Sequence, residues 1–239
     1  MASRAARAVA AERPEGGAGQ RDWAAIIRAK LADTVPRHEA ADWILPGLSL
    51  VDSEIYRRSL PATPTPAAVL IPLVERQRPT VLLTERSPRL RTHAGQVSFP
   101  GGHIEPSDPS PAAAALREAR EEIGLEEGLV SVAGYLPDHI VITGFRITPV
   151  VGFVRAGFTL LPDLKEVQGT FEVPLDYIFD AANFRRERRR LIRSGEEVEF
   201  WDIPFEGRTI WGATAGMLLT LYRLCVGPLP FERAARTPG

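Results

Sequence analysis

Three glutamates in one short stretch define the chemistry to look for. In Arg117-Glu118-Ala119-Arg120-Glu121-Glu122-Ile123-Gly124-Leu125 they stand at i, i+3 and i+4. A helix would place Glu118, Glu121 and Glu122 on one face, within reach of a common point. Carboxylates so placed repel one another unless a cation lies among them. Oxygen donors with no His or Cys beside them suit Mg²⁺ or Mn²⁺, ions that bind through a few carboxylates plus substrate phosphates. The implied ligand is a small molecule carrying phosphates. Upstream, Pro100-Gly101-Gly102 lets the backbone approach a ligand closely. A Glu-rich face standing alone would read as a solvated helix surface; Arg117, the Gly-Gly turn and Gly124-Leu125 argue against that here.

The elements that must position these residues follow from local signals. Ser110-Pro111 supplies an N-cap and first helical residue, and Ala112 to Ala115 are strong helix formers. The catalytic helix is expected over 111–123, stopped at Gly124, with Ala113, Leu116 and Ile123 toward the core. Residues 67–74 read as a strand, with Pro72 arguing for an edge position or a bulge. Residues 80–84 pair with it across a turn at 77–79, and this hairpin delivers Arg86 and Arg91 into the loop before the glycines. A short strand at 96–99 is expected to be broken by Gly101-Gly102. Strands are expected at 129–135, 147–154 and 169–173, with 136–145 a loop bordering the site and His139 a loop residue rather than a base. A short helical passage covers 175–184.

The arginine run 185–193 and the stretch Glu196-Glu197-Val198-Glu199-Phe200-Trp201 flank Ser194-Gly195, which suggests a hairpin paired by cross-strand salt bridges. A nucleic-acid strip or a phosphate clamp is the alternative. From Ile210 an apolar helix is expected to run to about Val226. Asp22 caps a short amphipathic helix running to about Ala32, an appendage to the domain.

Together these residues resemble the Nudix box, the signature of hydrolases that cleave a nucleoside diphosphate linked to another group. Leu83-Thr84, Arg86-Ser87, Arg91, Gly95, Val97 and Phe99-Pro100-Gly101-Gly102 are similar to the extra motif of the coenzyme A pyrophosphatase branch. Gly144-Phe145, Pro149-Val150-Val151-Gly152 and Ile210-Trp211-Gly212-Ala213-Thr214-Ala215 also resemble that branch. One position departs from the general box: Pro109 stands where a glutamate is expected, and Asp108 lies one residue early. The partner of Arg117 is therefore either Glu105 or Asp108.

The resemblance implies an α/β fold, a Nudix-type α/β/α sandwich with a mixed central β-sheet. It implies hydrolysis of the pyrophosphate bond of coenzyme A or an acyl derivative, giving 4'-phosphopantetheine and adenosine 3',5'-bisphosphate. Glu118 and Glu122 would be the principal metal ligands, Glu121 would bind a further ion or polarise water, and Arg117 would orient a carboxylate. Glu166, outside the box, would orient or deprotonate the attacking water. Arg86 and Arg91 are candidates to hold phosphates, against a structural salt-bridge role; Gly101 and Gly102 line the ligand. ADP-ribose, NADH or a nucleoside triphosphate is the alternative substrate, and a non-catalytic nucleotide-binding module the alternative class.

Composition bounds the rest. The 239 residues, 44% hydrophobic and 25% charged, with a formal net charge of −1, suit one folded domain with decorated ends. The expected divisions are a tail at 1–20, a helix and extended connector at 21–66, the hydrolase domain at 67–228 and a tail at 229–239. Balanced charge argues against a nucleic-acid partner, and no apolar run is long enough to span a membrane. The single cysteine, Cys225, reads as a small buried hydrophobe and fits a reducing, cytoplasmic setting. The Ala- and Arg-rich residues Met1 to Ala11 make the mitochondrial matrix the alternative. A homodimer is compatible with all of this.

Overall fold

The structure, a computed structural model, describes residues 21–39, 60, 63–90, 92–141, 143–190 and 197–230. Arg91, both expected tails apart from Leu229 and Pro230, most of the connector and the turn at Ser194-Gly195 lie outside these residues. In order, the elements are α1 (Trp23–Leu31), β1 (Thr65–Glu75), β2 (Thr80–Arg86), β3 (Val97–Ser98), β4 (Gly101–His103), α2 (Pro111–Ile123), β5 (Val130–Tyr135), β6 (His139–Ile140) and β7 (Phe145–Arg155). There follow β8 (Val167–Pro174), α3 (Leu175–Ile178), β9 (Arg185–Arg190), β10 (Glu197–Phe205), β11 (Arg208–Trp211) and α4 (Gly212–Cys225). Short 3₁₀ turns occupy Glu127–Leu129 and Ala181–Asn183.

The central sheet runs β3-β2-β1-β7-β5, with β4 on β1, β6 on β7 and β8 on β2. It is mixed, because β1 lies parallel to β7 while its other pairings are antiparallel. Alternation along β1 divides the core between two faces. Ala68, Leu70 and Val74 pack with Ala114, Ala115, Ala119 and Ile123 of α2. Ile71 and Leu73 join Ile27 and Leu31 of α1 and Leu218 and Leu221 of α4 on the other face. The result is an α/β/α sandwich.

Pro72 lies inside this sheet, not at its edge. On one side of β1 the β4 ladder ends at Val69↔Gly101 and the β2 ladder begins at Leu73↔Val81. The Leu70 N–H donates to the Pro100 carbonyl on that side at 2.9 Å, so Pro72, two residues on, directs its nitrogen into the gap between two partners. No ladder hydrogen bond is lost there. The glycines 101 and 102 likewise do not break a strand; they form β4, paired to Val69 and Ala68.

Helix α1 is part of the core rather than an appendage. Asp22 caps it through the Ala25 N–H at 3.0 Å, and Trp23, Ile27 and Leu31 are buried. Burial of Ile27 and Leu31 contributes roughly 1.5–3 kcal/mol each. Trp23 Nε1 donates to Asp176 of α3 at 2.9 Å, and the Arg28 guanidinium lies 3.7 Å from the centroid of the Phe153 ring. Beyond the helix, His38 Nδ1 reaches the fully buried Asp138 at 2.9 Å. Asp138 also accepts from Thr148 Oγ1 at 2.7 Å and faces Arg146 at 3.4 Å. Its carboxylate thereby joins the chain after α1 to the middle of the sheet.

The stretch expected as a loop around His139 contains β6, which pairs with β7. His139 is fully buried, with Nε2 3.2 Å from Thr220 Oγ1 and Nδ1 3.0 Å from the Pro137 carbonyl oxygen. Burial lowers its pKa from 6.5 to about 4, against hydrogen bonds and Asp138 that favour the charged form. The unfolded chain takes up a proton near 6.5 that the folded state refuses until about 4. Stability from this group is therefore complete above the unfolded value and declines as pH falls toward the folded one, by roughly 3 kcal/mol in all. Urea midpoints should fall between pH 7 and pH 5, and His139→Asn should flatten that slope.

The arginine run forms the expected hairpin. β9 pairs antiparallel with β10, and Glu199 lies 3.4 Å from Arg186 and 3.7 Å from Arg188. Among the described residues of this run, Arg186 and Arg188 are thus charge-paired across the strands. Cys225 is half-buried at the end of α4, and burial pushes its thiol up to about 11. No helix among the described residues is long and apolar enough to cross a membrane.

Candidate active site

Helix α2 starts and stops where its sequence directs. Ser110 Oγ accepts from the Ala113 N–H at 3.1 Å, Pro111 opens the helix, and Gly124 ends it in the left-handed conformation at φ 68°. Buried toward the sheet are Ala114, Ala115, Ala119 and Ile123, whereas Ala113 and Leu116 are half-buried. The small alanines let α2 lie close on β1 and β4. Its glutamates therefore arrive at the free edge of β4.

At that edge Glu118 sits directly over Gly102: a Cβ on residue 102 would fall 2.6 Å from the carboxylate carbon. Only glycine permits this approach. Glu122 is 4% exposed; its Oε2 accepts from the Gly101 N–H at 3.2 Å, and its Oε1 lies 3.9 Å from Arg86 Nη1. Burial pushes the Glu122 carboxyl up to about 7, opposed by the Gly101 N–H and Arg86 and reinforced by Glu118 and Glu166. Glu118 is also raised, first by burial, with Arg117 lowering it and Glu121 and Glu166 adding to the rise. A buried carboxyl with a raised pKa is stabilised as an anion by an added cation.

Arg117 finds Asp108, not Glu105. Its Nε and Nη2 form a fork onto Asp108 at 3.1 and 3.0 Å, and Nη2 also donates to the His103 carbonyl at 3.1 Å. Nη1 reaches Glu118 at 2.9 Å and Glu121 at 3.3 Å. The Arg117 hydrogen bonds hold Asp108 below the usual carboxylate range. Asp108 is oriented in turn by the Glu105 N–H at 2.8 Å. A one-residue shift is accommodated because the turn 105–108 closes on itself, Asp108 N–H donating to the Glu105 carbonyl at 2.9 Å.

Glu121 departs from the expected convergence. Its side chain is about half exposed and turned to Arg117, and among the described residues no three His, Cys, Asp or Glu side chains group tightly enough to hold an ion as they stand. The guanidinium bridges one oxygen of Glu118 and one of Glu121.

Glu166 is brought to the site by a loop that the helix end holds in place. Leu161 and Asp163 donate to the carbonyls of Ile123 and Glu122 at 2.8 and 2.9 Å, and Ser87 donates to the Glu166 carbonyl at 2.7 Å. Glu166 is exposed and close enough to act electrostatically on Glu118 and Glu122. Arg86 is the last residue of β2, redirected by a bulge between Glu85 and Arg86 in the pairing with β8. Its Nε is buried without a hydrogen-bond partner among the described residues. Sequence reading missed one residue of this neighbourhood, His103; its signal was the alternation of β4, where Gly102 faces the helix and its neighbour must face away, toward the Phe145 already noted in Gly144-Phe145.

The NUDIX domain family matches residues 64–194 of this chain. An uncharacterized Nudix hydrolase, NudL, from Citrobacter koseri is 44% identical over 155 residues, covering 65% of this chain and 80% of that protein. The NudL of Escherichia coli O139:H28 is 39% identical over 180 residues, covering 75% of this chain and 92% of that protein. Among solved structures, the Nudix hydrolase RenU of M. smegmatis is similar with a TM-score of 0.41 at 24% identity, covering 48% of this chain and 73% of that chain. With the family matched over more than half of its length and NudL identical at this level over most of it, the chain belongs to the Nudix family and is a Nudix pyrophosphohydrolase.

Proposed function

We propose that this hydrolase cleaves the pyrophosphate bond of coenzyme A or an acyl-coenzyme A, releasing 4'-phosphopantetheine or its acyl form and adenosine 3',5'-bisphosphate. The observation that carries the reaction class is the buried Glu122 beside Glu118 over Gly102. The substrate assignment is supported by the resemblance of residues 83–102 to the coenzyme A branch.

Nudix hydrolases generally use divalent metal ions. The donor set here is all oxygen and suits Mg²⁺ or Mn²⁺, held by Glu118, Glu122 and Glu121. When bound, such an ion neutralises phosphate oxygens and lowers the pKa of water. The chain's own part is positional. Gly102 admits the Glu118 carboxylate to the strand, and Gly101 gives its N–H to Glu122. Arg86, whose side chain is partly exposed, donates to a phosphate oxygen through its guanidinium, and Arg91 is assigned the same role. Glu166, exposed beside the pair, accepts the proton of the attacking water.

Asp108 and Arg117 act through Glu118. Arg117→Ala should lower kcat/KM about 10–100-fold, and Asp108→Asn should cost a similar factor. Because the two act as a unit, the double variant should lose little more than either single one. Multiplying losses in the double variant, measured by initial rates, would separate their roles and sink this assignment.

The functional test is product identification by mass spectrometry with Mg²⁺ or Mn²⁺ over coenzyme A, ADP-ribose, NADH and nucleoside triphosphates. Adenosine 3',5'-bisphosphate appearing fastest from coenzyme A supports the proposal. Cleavage of another panel member alone discards the substrate, and no turnover of any member discards the catalytic reading.

A further inference from the structure

The carboxylates account for one face of β4 and leave the other unassigned. Among the described residues β4 pairs only with β1. On its free edge the Gly101 N–H goes to Glu122 and the His103 carbonyl to Arg117. Side chains of α2 therefore cap this edge, and the reacting groups stand at the rim between the two faces of the sheet. Gly102 faces Glu118, so alternation sends the His103 side chain to the opposite face. There it meets Phe145, with ring centroids 5.2 Å apart and planes at 72°.

The contact is set by register: Ala67 is opposite His103, and Thr65 is opposite Phe145 at the start of β7. His103 is exposed and Phe145 half-buried. Of the aromatic pairs among the described residues, this one alone contains an exposed ring. Its place is one residue from Gly102, about 3.8 Å along the chain from the glycine that receives Glu118.

We propose that His103 and Phe145 form the platform for the nucleobase of the substrate. The diphosphate lies at the carboxylates, the nucleoside reaches round the capped edge of β4, and the base stacks on the exposed His103 ring, which Phe145 holds edge-to-face. Stacking engages the π-face that every base shares, so the platform distinguishes a nucleotide from a baseless sugar phosphate rather than one purine from another. The inference rests on the substrate being a nucleotide, and its test is independent of which nucleotide is cleaved.

Calorimetric binding of AMP and of ribose 5-phosphate to the full chain in Mg²⁺ isolates the base. The wild type should prefer AMP; His103→Ala should reduce that preference about tenfold, with ribose 5-phosphate affinity unchanged, and His103→Phe should restore it. Phe145→Leu, which keeps apolar bulk in the sheet, should also reduce it. A wild type without preference, or a preference untouched in both His103→Ala and Phe145→Leu, overturns the platform. If coenzyme A is not cleaved while His103→Ala still removes the AMP preference, the proposed substrate fails and the platform stands. If coenzyme A is cleaved and the preference does not move, the platform alone falls.

Discussion

Glu122→Gln is expected to abolish hydrolysis, a loss on the order of 10³-fold or more, while making the metal-free protein more stable at pH 8. The two effects share one cause. Burial raises this carboxyl from 4.5 to about 7, so between those values the folded state keeps a proton that the unfolded chain has released. The stability linked to that proton is complete below the unfolded pKa and is lost as pH rises through the folded one. At pH 8 the ionised group costs roughly 3 kcal/mol, which glutamine does not. Urea denaturation in EDTA should show the variant above the wild type at pH 8 and the two converging toward pH 4.5. Activity within tenfold of wild type at saturating Mn²⁺ would place the ion elsewhere, and an unchanged pH 8 stability would mean that the carboxylate is already well solvated or paired.

The second large effect concerns a residue far from the chemistry. Asp138→Ala should destabilise the fold by about 3–5 kcal/mol, because it leaves Arg146 and Thr148 facing a site with no acceptor. In a chain of this size that lowers the thermal midpoint by roughly 10 °C. The same deletion also removes the contact of His38 with Asp138 at 2.9 Å. A loss under about 1 kcal/mol would show that the Asp138 carboxylate contributes little to holding the chain after α1.

What the sequence disclosed about this fold was what short-range physics governs. Ser110, Pro111 and Gly124 mark both ends of α2 because capping is a local contest between side chain and backbone. The hairpin of β1 and β2 and that of β9 and β10 were legible for a similar reason. Pro72 was misleading because its neighbours across the strand are set by long-range register, and the gap between two ladders leaves no trace in the sequence. His139 read as a loop residue because two-residue strands have no periodicity to show.

The site divides along the same line. Glu118 and Glu122 were identifiable from spacing, whereas their contacts with Gly102 and Gly101 were not. The engagement of Glu121 by Arg117 was not, since rotamers answer to neighbours that spacing does not name. Asp108 stayed level with Glu105 as a partner until the closed turn 105–108 brought one carboxylate, and not the other, against the guanidinium.

The inclusion of α1 and α4 in one core has a consequence for how the chain is made. These helices flank the family-matched stretch 64–194, and their side chains meet across nearly two hundred residues. During synthesis at ~5–20 residues per second, α1 emerges roughly ten seconds or more before α4. Until then its apolar face and one side of the nascent sheet lack their cover, a demand of high contact order. Ribosome-bound chains stalled before residue 212 should therefore recruit chaperones, and those released after residue 225 should not.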